Sequence, residues 1–180
     1  CAVGSPAIGA HELRRSQSHP ALLKVAAKVA QAKPMLLATY YRRALGVSAL
    51  DIYFPVFMKP LDNIFLGENV SINAFVHMWA NAPIIIGDNT MIAAHVQIST
   101  STHDYAKPTM RDYRIDESIV IGSNVWIGSG AIILPGVTIG DNSVVGAGSV
   151  VTRDIPANSL AFGAPARVMR DLPTRAAGGM

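Results

Sequence analysis

An aliphatic residue returns at every sixth position along the second half of the chain: Ile121, Ile127, Ile133, Ile139, Val145 and Val151. Ile86, Ile92 and Ile98 keep the same step. Six fits neither the 3.6-residue period of a helix nor the two-residue alternation of a half-buried strand. It predicts short straight segments, each sending one aliphatic side chain inward and joined by regular corners. Three such sides make an eighteen-residue coil, and Gly122 and Gly140 are eighteen residues apart. A longer phrase rides on this step: Leu66-Gly67-Glu68-Asn69, Ile86-Gly87-Asp88-Asn89, Ile121-Gly122-Ser123-Asn124 and Ile139-Gly140-Asp141-Asn142. Repeats of this kind fix the architecture before any other signal. Glycine follows the inward residue at 67, 87, 122, 128, 140 and 146, and asparagine stands two residues later at 69, 89, 124 and 142. Both residue types tolerate positive φ, which places sharp corners there. The pattern predicts an all-β solenoid of triangular section with about five coils.

The same step locates an insertion. Gly87 and Gly122 are 35 residues apart, seventeen more than one coil requires. The excess is assigned to residues 104–120, DYAKPTMRDYRIDESIV, which are more charged than their flanks and are expected to leave the solenoid as an extended loop rejoining it near Ile115. Loops on a rigid scaffold concentrate function, and His103 stands at the departure point. Upstream, PALLKVAAKVAQA has Leu22, Val25 and Val29 at helical spacing, with Lys24 and Lys28 opposite. Pro34 opens a second helix, which Arg42, Arg43 and Gly46 close. The expected organisation is a leader and helical segment over 1–60, a β-helix domain over 61–172 and a frayed tail over 173–180. Within the β-helix domain, DIPANSLAFGAPARVMRDL loses the six-residue step and is expected to wrap the last coil as a cap.

Composition agrees with a strand-built core. Half of the 180 residues are hydrophobic, 15% are charged and only 7% are aromatic. That excludes a disordered chain and favours β-branched packing over a helical bundle. The net charge of +3 is too small to point to nucleic acid and suits an anionic small ligand. The single cysteine, Cys1, allows no intrachain disulfide and no cysteine metal cluster, which favours a reducing compartment. With Cys1 rather than Met in first place, the chain is expected to be a fragment or a processed product. No apolar run is long enough to span a bilayer, and no secretory signal is visible. The expected location is cytoplasmic. The basic N-terminal helix is expected to pack on the protein, with contact to the inner membrane face as the alternative.

Over residues 64–171 the chain resembles the hexapeptide-repeat acetyltransferases, and among them the maltose, galactoside and nodulation-type sugar O-acetyltransferases. The stretch IGSNVWIGSGAIILPGVTIGDNSVVGAGSVVTRDIPANSLAFGAPARVMRDL carries the likeness, together with the upstream Ser-Thr-Ser-Thr-His segment ending at His103. The resemblance implies a left-handed parallel β-helix, acetyl-coenzyme A as donor, and a homotrimer with active sites between subunits. It implies His103 as the catalytic histidine and Asn73 as an acceptor contact. Trp126 falls beside the cofactor channel, and Ser129, Ala147, Thr152, Arg153, Arg167 and Arg170 fall on cofactor contacts. Asn81 replaces an acidic acceptor contact of the galactoside and maltose enzymes, and their second acidic contact has no counterpart in residues 1–60. Acetyl transfer therefore carries over better than the sugar. The N-terminal helices resemble in general character those of acetyltransferases serving lipopolysaccharide, capsule or exopolysaccharide assembly, which implies a role in surface polysaccharide or glycolipid biosynthesis.

The residue types suit that chemistry. A sugar hydroxyl is a poor nucleophile until a base takes its proton, and histidine titrates in the right range. No covalent nucleophile is evident, so direct transfer is expected. Arginine forks match the phosphates of coenzyme A. The alternatives are an N-acetyltransferase acting on an amino or nucleotide sugar, a non-enzymatic scaffold, and a zinc enzyme of the carbonic anhydrase type. For the last, His77 and His95 are eighteen apart and could lie on adjacent coils near His103, but the close ligand pair such a site needs is missing. No metal is expected, and His11 and His19 are taken as exposed leader residues.

Overall fold

The computed structural model describes residues 35–173. The first predicted helix, over 20–32, lies outside the described residues. The second is present as α1, residues 35–45, and ends where Gly46 takes φ +69°. Tyr41 and Leu45 of α1 pack on the core, and Arg42 donates through Nε and Nη2 to the Leu50 carbonyl at 3.0 and 2.8 Å. Helix α1 thus caps the first coil.

The solenoid has three parallel faces. Face one stacks β1 (Leu50–Ile52), β4 (Val70–Ile72), β7 (Met91–Ile92), β12 (Trp126–Ile127), β15 (Val144–Val145) and β17 (Ser159–Gly163). Face two stacks β2 (Phe57–Lys59), β5 (His77–Trp79), β8 (Gln97–Ser99), β13 (Ile132–Ile133) and β16 (Val150–Val151). Face three stacks β3 (Ile64–Leu66), β6 (Ile84–Ile86), β11 (Ile119–Ile121) and β14 (Thr138–Ile139), with an Ile139–Ile155 bridge beyond them. The chain therefore completes five coils and lays the first strand of a sixth. The solenoid begins at Leu50, ahead of the expected residue 61; no Gly-x-Asn phrase precedes its first strand to announce it. The last strand, β18 (Ala166–Asp171), turns back antiparallel on β17 and closes the open end. This is the expected wrap.

Every residue of the six-residue step, from Ile86 to Val151, is at most 1% exposed. Each such side chain stabilises the fold by about 1.5–3 kcal/mol through burial. The corners work differently from expectation. Asn69, Asn89, Asn124 and Asn142 do take φ between 55° and 57°. Glycines 67, 87, 122, 128, 140 and 146 do not adopt positive φ. They are there because the coils stack closely: a Cβ on Gly122 would run into Asp141 of the next coil, and one on Gly128 into the backbone of Ala147. Polar ladders hold the corners together. Asn69 donates to Asn89 at 2.9 Å and Asn124 to Asn142 at 2.8 Å, while the Ser123 amide donates to Asp141 Oδ1 at 2.7 Å.

Coil length varies along the axis. Strands β13 and β16 pair at a shift of eighteen residues, but β5 and β8 pair at twenty. The two extra residues widen the corner between β5 and β6. His77 and His95 do lie on adjacent coils, but the extra residues offset them: His77 pairs with Gln97, and the His95 ring stacks on Phe75 at 4.8 Å. The insertion is a hairpin of β9 (Ser101–His103) and β10 (Arg114–Asp116). The solenoid resumes at Glu117, whose amide donates to the Thr100 carbonyl at 2.8 Å. The excursion therefore spans 101–116 rather than 104–120, and Ile119 and Val120 are wall residues of face three. His103 lies two residues inside the hairpin.

Candidate active site

Two edges of the prism carry the candidate residues. The first edge joins face one to face two. Asn73 lies there just after β4, above Ala93, Gly128 and Gly146 in successive coils, as the amide-to-carbonyl ladder from one coil to the next fixes. Beside that column run Ala74, Ala94, Ser129 and Ala147, with Ser129 and Ala147 exposed. Small side chains in this column leave room for a long, thin ligand to lie against backbone at Ser129 and Ala147, while in the first coils the same edge carries the stacked Phe75 and His95 rings. Trp126 flanks it on the outer surface of face one, 49% exposed between Met91 and Val144.

The second edge joins face two to face three. It carries Asn81, the root of the β9–β10 hairpin with His103, and Thr152-Arg153 after β16. The structure thus groups Asn73, Trp126, Ser129 and Ala147 on one edge and His103, Thr152 and Arg153 on the other. One full prism side lies between them, on the order of 15–20 Å for five to six residues of extended chain. Arg167 and Arg170 lie on β18 at the end of face one, opposite Phe162 and Leu160. Arg153, Arg167 and Arg170 are exposed and have no carboxylate partner among the described residues.

The hairpin orients His103. Its Nδ1 lies 2.8 Å from the Met110 carbonyl. A carbonyl only accepts, so the contact selects the tautomer with hydrogen on Nδ1 and leaves Nε2 with a free lone pair on an exposed ring. Directly opposite residues of an antiparallel pair share a face. His103 faces Arg114 and Ser101 faces Asp116, so these four side chains lie together. The Ser101 hydroxyl donates to Asp116 Oδ1 at 2.6 Å, and Arg114 Nε pairs with Asp116 Oδ2 at 2.7 Å. The Ser101 bond holds the Asp116 carboxyl below the usual carboxylate range; partial burial opposes this, and Arg114 and the His103 charge add to it.

Sequence reasoning missed two features. The Asn81 side chain is already engaged, its amide donating to the Ser101 hydroxyl at 2.8 Å. An aromatic group also covers the first coils of face two. Phe57 lies 4.6 Å from His77 and is nearly parallel to Trp79, and Lys59 Nζ lies 4.8 Å from both the Phe57 and Trp79 rings. Two-residue alternation in Phe57–Lys59 and His77–Trp79 was the available signal. Among the described residues no three His, Cys, Asp or Glu side chains gather as a metal site, and no helix is long and apolar enough to cross a membrane.

Known proteins share this fold. The family described as bacterial transferase hexapeptide (six repeats) matches residues 118–153. The galactoside O-acetyltransferase of Escherichia coli is 43% identical over 122 residues, covering 67% of this chain and 60% of that protein. Nodulation protein L of Rhizobium meliloti is 50% identical over 118 residues, covering 62% and 64%. The chain therefore spans rather less than two thirds of the curated relatives it matches. Among solved structures, a maltose O-acetyltransferase from Clostridium difficile superposes with TM-score 0.71 at 40% identity, covering 74% of this chain and 73% of that one. A galactoside acetyltransferase in complex with coenzyme A gives 0.68 at 38% identity, covering 75% and 69%. On its repeat, its coil geometry and these likenesses, the chain belongs to the left-handed β-helix hexapeptide-repeat acetyltransferases.

Proposed function

We propose that the protein transfers an acetyl group from acetyl-coenzyme A to a carbohydrate hydroxyl, with His103 as general base. The observation that carries this reading is the free Nε2 of a histidine whose Nδ1 is tied to a backbone carbonyl. A neutral imidazole held this way can take the acceptor proton as the hydroxyl oxygen attacks the thioester carbonyl. A C–O bond forms, the C–S bond breaks, and the coenzyme leaves as the thiol after protonation. Direct transfer needs no protein nucleophile. The channel of Ala94, Ser129 and Ala147 beside Trp126 suits a pantetheine arm, and Thr152, Arg153, Arg167 and Arg170 suit the nucleotide phosphates. Relatives bearing coenzyme A or acetyl-coenzyme A at 35–38% identity support the donor.

The placement of the candidate residues on two edges supports an assembly with shared sites. His103 and Asn73 stand one prism side apart on a single chain, so one site uses both only if the second edge of one copy meets the first edge of another. Three copies related by a threefold axis close such contacts into a ring, giving a homotrimer with three shared sites. The acceptor is taken to be a glycan of surface polysaccharide or glycolipid assembly, a step that uses the cytoplasmic acetyl-coenzyme A pool. The test is coenzyme A release from acetyl-coenzyme A against sugars, nucleotide sugars and glycans, with product analysis. Ester formation on a hydroxyl is expected, and His103→Ala should lower kcat by roughly 10²–10⁴-fold. Amide formation on an amino sugar alone, or near-normal turnover by H103A, would overturn the reading.

A further inference from the structure

The hairpin that carries His103 leaves the solenoid at Thr100 and returns at Glu117, so its aim depends on what fixes its root. A continuous hydrogen-bonded chain does so. It starts on the rigid wall at Asn81, passes to the Ser101 hydroxyl at 2.8 Å, to Asp116 Oδ1 at 2.6 Å, and from Asp116 Oδ2 to Arg114 Nε at 2.7 Å. Asn81 is itself anchored, because Asn63 Nδ2 donates to its backbone carbonyl at 3.2 Å and to that of Ala80 at 2.9 Å. Arg114 stands directly across the ladder from His103.

We propose that Asn81, Ser101, Asp116 and Arg114 are positioning residues that lock the His103 hairpin to the second coil and set the direction of its imidazole. The inference rests on the reading of His103 as base and assigns Asn81 to the brace instead of to the acceptor. Each link is directional. The Asn81 amide donates to the Ser101 oxygen, which leaves the hydroxyl hydrogen for Asp116, and the second carboxylate oxygen is left for Arg114. A hydroxyl at 101 is required, because it must accept on one side and donate on the other. Loss of any link frees the hairpin to swing about its root, and a displacement near 1 Å at a reacting group costs on the order of 10²-fold in rate.

The experiment compares Asn81→Ala, Ser101→Ala, Ser101→Thr and Asp116→Asn with wild type in kcat, in KM for both substrates and in the ¹⁵N imidazole signals of His103. Ser101→Ala and Asp116→Asn should lower kcat by roughly 10–100-fold with both KM values changed less than about 3-fold, and Ser101→Thr should recover most of the loss. Wild-type His103 should show a single Nδ1–H tautomer, and Ser101→Ala a mixed signal. Unchanged kcat in Ser101→Ala and Asp116→Asn overturns the brace. So does an Asn81→Ala variant that raises acceptor KM alone, since Asn81 would then be an acceptor ligand. If His103→Ala keeps full turnover, the general-base reading fails instead, and the tautomer signals still judge the brace.

Discussion

At the residue scale, two kinds of glycine serve this fold, and they fail differently. Gly122 has ordinary φ but no room for a methyl group, since the added Cβ would collide with Asp141 of the next coil. Gly130 has open space around it but φ +69°. Gly122→Ala should therefore spread two coils and cost about 1–3 kcal/mol, while Gly130→Ala should cost about 1 kcal/mol of backbone strain. Denaturant midpoints measure both, and the reverse order would contradict the stacking account. Arg153, Arg167 and Arg170 belong to a different class, being exposed and without carboxylate partners among the described residues. If they hold phosphates equally in ground and transition state, each Arg→Ala change should raise KM for acetyl-coenzyme A by roughly 10–150-fold and leave kcat nearly intact. Unchanged KM in all three variants would return them to the solvated surface. The inward isoleucines were legible at this scale because a six-residue period has one structural solution. The Asn81–Ser101 bond was not, because it joins residues twenty apart across a corner two residues longer than the repeat predicts.

At the element scale, the hairpin shows what a sequence conceals. The excess of seventeen residues follows from the spacing of Gly87 and Gly122, yet its bounds do not. The chain departs at Ser101, where composition has not changed, because pairing of Ser101 with Asp116 begins there. Charge density marks only the tip. Strand β1 escaped notice for a similar reason: Leu50–Ile52 pairs with Val70–Ile72 without a corner phrase of its own. The coils before and after the hairpin continue in register on face two, with His77, Gln97 and Ile132 paired in turn. Replacing residues 101–116 by a short turn should therefore leave the β-sheet circular dichroism and cooperative melting in place while removing acetyl transfer. Loss of the folded signal would mean that the hairpin is part of the scaffold.

At the scale of the whole molecule, the candidate residues fall on two edges of the prism. One edge of the chain carries Asn73, Trp126, Ser129 and Ala147, and the other carries His103 and Arg153. The resemblance implies a site between subunits, and under the proposed function the prism side that separates the two groups is a physical reason for one. The exposed hairpin residue Tyr105 and the aromatic cover of face two also have apolar surface that neighbouring copies would bury. The shared site can be tested by mixing two inactive variants, His103→Ala and Asn73→Ala, unfolding and refolding them together, and assaying acetyl transfer. In a random trimer about one contact in four joins the intact His103 edge of one copy to the intact Asn73 edge of another. The account predicts recovery toward about a quarter of wild-type kcat in the mixed trimer, with neither variant active alone. Activity no greater than the sum of the two separate variants would contradict it, and would require both residues of a site to come from one chain.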